Sequence, residues 1–191
     1  MKLHLALMSA AALALCIGGA AAQGADPKHV MTGKAAEDVG EFNMINSVTA
    51  RAIADACLRE VAKRNLSAIV VILDNFGYKV YQYRMDGAAR FTAVSTSEML
   101  ANTSYLTRRA SSLRLYNIQR EPFQQAWEFG MGLFPNAGGL PIYSGKQIIG
   151  FIGVGGMVTT PEFGDEICAH GALTEIVGPQ PPAPPIPPAR N

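Results

Sequence analysis

The sequence predicts an α/β (α+β) domain in which helices flank one central antiparallel sheet. Two stretches predict the sheet, because each has the pattern of a β-hairpin: residues 68–85 around a turn at Asp74–Gly77, and residues 140–154 around Ser144-Gly145. Stretches with helical spacing lie before, between and after the hairpins, and helices must cover such a sheet. The 191 residues, 49% of them hydrophobic, suffice for one domain with a core and are short for two.

The net charge and the N-terminal residues limit the partners and the cellular location that we expect. Sixteen basic and fifteen acidic side chains leave a formal charge of +1, so we expect no nucleic-acid partner. Residues 1–22 follow the plan of a secretory signal, with Lys2, an apolar run through Ile17 and small residues at Ala20–Ala22. We therefore expect a mature chain that begins at Gln23, in the periplasm or secreted. The apolar run is shorter than the roughly 20 residues of a bilayer span, so we expect no membrane span in the mature chain.

Three segments follow the expected signal. Residues 23–44 carry glycine, proline and several charges without periodicity, which indicates a loosely packed arm. Residues 45–178 hold the predicted domain. Residues 179–191 are dominated by proline, which excludes a helix or a central strand and indicates an extended, polyproline-type tail.

Three longer stretches of the domain have the marks of helices. Asn46 is a suitable N-cap for an amphipathic helix that runs to about Arg64. Residues 93–115 contain no proline or glycine, which predicts a second helix. A third is predicted from Pro161 to about Val177, because proline suits the first turn and glycine follows the end.

Glycine recurs in the second arm of the second hairpin, although a strand interior normally avoids it. Close approach of another backbone or of a flat ligand is the usual reason for such a pattern. The glycines in question are Gly150, Gly153, Gly155 and Gly156.

Two cysteines, Cys57 and Cys168, remain once the signal is removed. They can form one disulfide, which would persist in an exported protein, or they can be two small buried hydrophobic residues. They lie far apart in the sequence, without the neighbouring histidines or cysteines of a zinc site.

Motifs in the two hairpins resemble those of a known family. The first hairpin contains Leu-Asp-x-x-Gly and then Tyr-Arg-Met-Asp-Gly-Ala, and the second contains Gly-Gly-Leu-Pro-Ile and Ile-Ile-Gly-x-Ile-Gly-Val-Gly-Gly. In this order they resemble the GlcG/HbpS-like haem-binding and haem-degrading family, over roughly residues 45–176. The resemblance implies a profilin-like fold with a central antiparallel sheet of about five strands. It also implies a homo-oligomer that hides the sheet edges.

The resemblance further implies a ligand site. Family members carry Lys-Ala-x-Thr-Ala on a helix beside the pocket, and the matching residues here are Leu100-Ala101-Asn102-Thr103-Ser104. Threonine is kept, so we expect Thr103 beside the ligand, as a weak ligand for iron. Leucine replaces lysine, so we expect Arg108 or Arg109 to bind a carboxylate of the ligand, since guanidinium does so through a two-point fork. The glycines of the second hairpin would give a flat ring close access.

Two further expectations depend on the resemblance. His29, in the N-terminal arm, is the alternative ligand for iron, because imidazole is the commonest haem-iron ligand in proteins. The implied fold also places the first and last helices near one another, and this would bring Cys57 and Cys168 within reach of a disulfide.

The segment 114–133 is more aromatic than the loop that the family has there, and Gln124–Phe129 can form a short helix within it. Aromatic residues and methionine can line a porphyrin pocket, bury themselves in a subunit contact or cap the sheet. The sequence does not rank the first two.

The favoured function is an exported protein that binds haem, or another tetrapyrrole such as a corrinoid, for transport, buffering or sensing. A haem-degrading or other small-molecule enzyme is one alternative, although no nucleophile, acid–base pair or metal motif is visible. An accessory subunit of a periplasmic oxidoreductase is the other.

Overall fold

The structure is a computed structural model, and it describes residues 43–88, 93–121, 123–157, 160 and 162–184. The expected signal peptide at residues 1–22, nearly all of the N-terminal arm and residues 185–191 lie outside this part of the chain. In chain order the helices and strands are α1 Ser47–Ala62, β1 Ile69–Leu73, β2 Lys79–Arg84, α2 Ala93–Thr107, α3 Ser112–Arg120, α4 Phe123–Gly130, β3 Gly139–Ser144, β4 Gln147–Gly155 and α5 Asp165–Ile176.

Both predicted hairpins are present, and together they form one antiparallel sheet in the order β2-β1-β4-β3. The first strand of the first hairpin pairs with the last strand of the second, with Ile72 opposite Ile152. The predicted fold class is therefore confirmed. The described residues form four strands where about five were expected, because the two hairpins supply every strand of this sheet.

Strand β1 is buried along its whole length. Because side chains alternate between the two faces of a strand, Val70 and Ile72 pack into one hydrophobic cluster, and Ile69, Val71 and Leu73 pack into another. Helices cover both faces, which is why this strand is a continuous apolar run rather than an alternating one.

Helices α1 and α5 cover one face of the sheet. Asn46 caps α1 as predicted, since its side-chain oxygen accepts a hydrogen bond of 2.8 Å from the backbone N–H of Thr49. A disulfide joins Cys57 on α1 to Cys168 on α5, with 5.2 Å between the two Cα atoms. It holds together two helices that are 111 residues apart in the sequence.

Helix α2 covers the other face and lies very close to β4. A Cβ atom at Gly153 would collide with the carbonyl oxygen of Ser97, and one at Gly155 would lie 2.5 Å from Ser97 Oγ. Of the two reasons that the sequence offered for these glycines, the close approach of another backbone therefore accounts for Gly153, while at Gly155 the space is taken by the side chain of Ser97.

Two predicted helix boundaries are wrong. The single helix expected at residues 93–115 is two helices, α2 and α3, because Arg108 adopts a left-handed backbone with φ of 55° and turns the chain between them. The last helix was expected from Pro161, but α5 begins at Asp165. Thr160 and Phe163 instead close a turn, in which the Thr160 N–H donates to the Phe163 carbonyl at 2.8 Å.

The edge of the sheet at β3 is covered, and the tail takes part in covering it. At Gly139, the N–H donates to Ser111 Oγ at 2.9 Å and the carbonyl accepts from the Ser111 N–H at 2.8 Å. Pro141 has no N–H to offer. At Tyr143, the N–H donates to Gln180 Oε1 at 3.0 Å and the carbonyl accepts from Gln180 Nε2 at 2.9 Å. The start of the predicted tail therefore packs on the domain.

The aromatic segment forms α3 and α4, and much of its apolar surface faces solvent. Phe123 is 97% exposed, and Trp127 is 60% exposed. Beneath them, the fully buried carboxylate of Glu128 accepts hydrogen bonds from Arg114 at 3.1 and 2.5 Å, which fastens α4 to α3. Over the described ranges, no helix has the length and apolarity required to cross a bilayer.

Candidate ligand groove

A groove of about 280 Å³ opens where β3, α5, the turn between α2 and α3, and the tail meet. Leu113, Leu140 and Leu173 contribute apolar surface to it. Prolines at the start of the tail form a further part of its wall. The groove is thus an apolar cleft, and the tail takes part in its shape.

The two predicted arginines both lie beside the groove, but their guanidinium groups differ in position. The Arg108 group contacts Asn75 at 3.4 Å and lies over the rings of Tyr105 and Phe151, none of which lines the groove. The Arg109 side chain is exposed and makes no hydrogen bond or ion pair with the described residues. Arg109 is therefore the cation that is free to bind a ligand here.

His170 on α5 brings an imidazole to the groove. Its Nε2 lies 2.9 Å from the carbonyl oxygen of Pro181 in the tail. A carbonyl oxygen only accepts hydrogen bonds, so the imidazole N–H donates in this contact. Tyr143 on β3 adds a phenol to the same lining.

The Glu166 carboxylate holds the neighbouring elements together from inside the domain. It accepts from Ser112 Oγ at 2.8 Å and from the Gly138 N–H at 3.1 Å, and it is only 1% exposed. Burial raises the pKa of the Glu166 carboxyl, and these two hydrogen bonds oppose the rise. Because the residue lies one helical turn before His170, it fixes α5 against α3 and β3 where the groove forms.

Thr103 lies away from the groove, in the interior of the domain. It is completely buried, and its hydroxyl donates to the Met99 carbonyl and accepts from the Phe134 N–H, both at 2.7 Å. Both bonds serve the fold: the first lies within α2, and the second ties α2 to the segment before β3. A role of Thr103 in binding iron stays a prediction, and it would require the ligand to reach a hydroxyl that is completely buried.

The other predicted site residues are separated from the groove. Gly150, Gly153 and Gly155 lie on β4, and Gly156, with φ of 104°, follows its end. None of these four glycines lines the groove. His29 lies outside the described residues.

Three polar side chains of the groove were not predicted as site residues: Tyr143, His170 and Gln180. His170 lies on α5, but the cleft beside it forms only where the tail folds back, and no local pattern shows this. One signal was available: Gln180 is a lone amide side chain within a run of prolines, and a glutamine can substitute for the missing N–H groups of such a run.

The donor groups of the groove define what it can bind. Imidazole and phenol both serve as ligands of haem iron in proteins, and a guanidinium binds carboxylates. Among the described residues, no three histidine, cysteine or acidic side chains cluster as they would around a bare metal ion. The groove thus suits an apolar ligand that carries a carboxylate and also a metal centre to which one side chain can bind.

Known structures share this fold. The Klebsiella pneumoniae protein ORFY is 20% identical, and the match covers 79% of this chain and 100% of that one with a TM-score of 0.65. A double mutant of Streptomyces reticuli HbpS is 19% identical, with coverage of 77% and 94% and a TM-score of 0.62. A PduOC:heme complex is 16% identical, with coverage of 70% and 95% and a TM-score of 0.60. No curated protein matches the chain.

A family model described as "Haem degrading protein HbpS-like" matches residues 45–174. This span contains every strand of the described sheet and all of its helices except the last two residues of α5. The resemblance seen in the hairpin motifs is therefore confirmed, and the chain belongs to the HbpS-like family.

Proposed function

We propose that this chain is an exported protein that binds haem or a related tetrapyrrole in the groove, for transport, buffering or sensing. Membership of the HbpS-like family supports haem as the ligand, as does the haem bound by the structurally similar PduOC. The expected signal at residues 1–22 supports export, and an exported protein whose intact mass begins at Gln23 would bear this out. Assembly into homo-oligomers and association with a periplasmic oxidoreductase stay predictions.

One observation carries the choice of site. The groove combines an unengaged arginine, an imidazole and a phenol with apolar walls, and the imidazole belongs to the one histidine among the described residues. Arg109 would bind a propionate, the leucines would cover the face of the ring, and His170 or Tyr143 would provide the donor atom for iron. Bound haem would supply the redox and oxygen chemistry, while the residues of the groove would hold and orient it.

A haemin titration of the mature protein, followed by visible absorbance, tests this site. We expect Arg109→Ala to weaken binding about tenfold, because it removes one charge-assisted contact to a carboxylate. Arg51→Ala is the matched control, since Arg51 is an exposed arginine on α1 that does not line the groove. If both variants bind haemin as tightly as the parent, the groove is not the site.

The description of the family also favours haem degradation as a second function. The same samples test it when a reductant and air are added. A Soret band that decays faster with protein than with free haemin indicates degradation, and a band that persists indicates a carrier.

A further inference from the structure

The first residues of the tail cross the groove, and we call residues 179–184 the strap. Few interactions hold it. Gln180 makes two hydrogen bonds with the backbone of Tyr143, at 3.0 and 2.9 Å, and the Pro181 carbonyl accepts the bond from His170. Its prolines have no N–H groups, so they cannot add to the ladder of the sheet.

The space beneath the strap is small for the proposed ligand. Pockets that enclose small molecules have volumes of about 300–1,000 Å³, and a tetrapyrrole is a large ligand of this class. The groove holds about 280 Å³. Its other walls are strand β3, helix α5 and the turn between α2 and α3, and each of them contributes residues to the buried core, Leu140, Leu173 and Ala110 respectively. The strap is therefore the wall that can move.

The strap also occupies the most suitable donor atom. An imidazole nitrogen that carries a proton has no lone pair for a metal, and the Pro181 carbonyl holds His170 Nε2 in that state. This nitrogen can bind iron only after the contact with Pro181 is broken. The contact of the strap with His170 Nε2 and a bond from that nitrogen to iron therefore exclude one another.

The chain has a suitable pivot for such a movement. Gly178 has φ of 108°, a conformation that glycine adopts without strain, and it lies between the end of α5 and the strap. Nothing lies within 4 Å of the position that a Cβ would take at Gly178. A rotation there moves the strap without disturbing the helix.

We infer that the strap competes with the ligand for the groove and for His170. It covers both in the free protein, and it leaves when an apolar ligand with an iron centre binds. This inference rests on the proposed function for the identity of the ligand. The covering of His170 itself does not depend on it.

The first experiment uses the protein without ligand. Diethyl pyrocarbonate modifies accessible imidazoles, and mass spectrometry reports its rate at His170. We expect a rate about fivefold or more above the parent in Gln180→Ala and in a chain that ends at Gly178, because each loses bonds that hold the strap. Gln125→Ala, an exposed glutamine on α4, is the control and should match the parent. Circular dichroism establishes that each variant is folded.

The second experiment titrates the same proteins with haemin. Tighter binding by both strap variants, together with faster modification of His170, supports the inference. An unchanged rate of modification overturns it. Faster modification with weaker haemin binding also overturns it, because the strap would then be a wall of the site rather than a competitor. If no form binds haemin, the proposed function fails, and the modification rate still decides whether the strap covers His170.

Discussion

At the scale of single residues, Glu166 is the side chain on which most of the local geometry depends. Its two carboxylate oxygens accept hydrogen bonds from α3 and from the segment before β3, while its backbone belongs to the first turn of α5. A buried carboxylate is normally unfavourable, but here both oxygens have donors. This one side chain therefore joins three parts of the domain.

The variant Glu166→Gln should change how stability depends on pH. Folding raises the pKa of the Glu166 carboxyl. The contribution of this carboxyl to stability is therefore complete below its unfolded pKa of 4.5, and it is lost as pH rises through its folded pKa. Glutamine does not titrate. We therefore expect the parent to lose stability relative to the variant from about pH 4.5 upward, as measured by urea unfolding at several pH values.

Glu162→Gln is the control for that series, because Glu162 is exposed. The stability difference between this control and the parent should not follow the same pH dependence. A constant difference between the parent and Glu166→Gln across the series would contradict a raised pKa.

Thr103 shows the limit of motif reasoning at this scale. The family pattern correctly predicted that this threonine is in a helix, but the pattern contains no information about the partner of the hydroxyl. That partner is the Phe134 N–H, 31 residues away, which only the tertiary structure identifies. Arg109 could be proposed from the sequence, because leucine replaces the lysine of the family pattern and a carboxylate of the ligand then needs another cation nearby.

At the scale of elements, the contact between α2 and β4 depends on residues without side chains. The backbone of α2 at Ser97 fits against β4 only because Gly153 presents hydrogen atoms there. This contact places the end of α2, and so the turn that carries Arg108 and Arg109.

We expect Gly153→Ala to destabilise the protein by about 3 kcal/mol or to prevent folding, because overpacking against backbone atoms cannot be relieved by side-chain movement. Gly171→Ala offers the opposite case, since Gly171 is an exposed glycine in α5 with no atom within 4 Å of the added Cβ. It should stabilise the protein by about 0.5–1 kcal/mol. Thermal unfolding measures both, and equal effects of the two variants would contradict the close contact.

The break between α2 and α3 could not be predicted from local preferences. Arginine is a good helix former, and residues 93–115 contain no glycine or proline to stop a helix. The side chain of the left-handed residue Arg108 lies over the ring of Tyr105 in α2 and makes two contacts outside the helix, with the ring of Phe151 and with Asn75. Hairpins were easier to predict, because turn residues and apolar runs lie next to each other in the sequence.

At the scale of the whole molecule, the disulfide between α1 and α5 connects the two ends of the domain. We expect the double variant Cys57→Ala/Cys168→Ala to fold but to lose about 2–5 kcal/mol of stability, because the closed loop of roughly a hundred residues no longer restricts the unfolded chain. Guanidinium unfolding measures the loss, and thiol counting in the denatured parent should find no free thiol from this pair. Two free thiols would contradict the bridge.

The sheet also has two unlike edges, which limits how copies of this protein could pair. On the outer side of β3, Gly139 and Tyr143 already bond to Ser111 and Gln180, and Pro141 has no N–H to offer, whereas β2 has no described partner on its outer side. Two copies that joined through β2 would share one continuous sheet with a β3 strand at each end. Such a pair has no remaining edge to extend, so this geometry permits a closed two-fold dimer and stops the growth of a fibre.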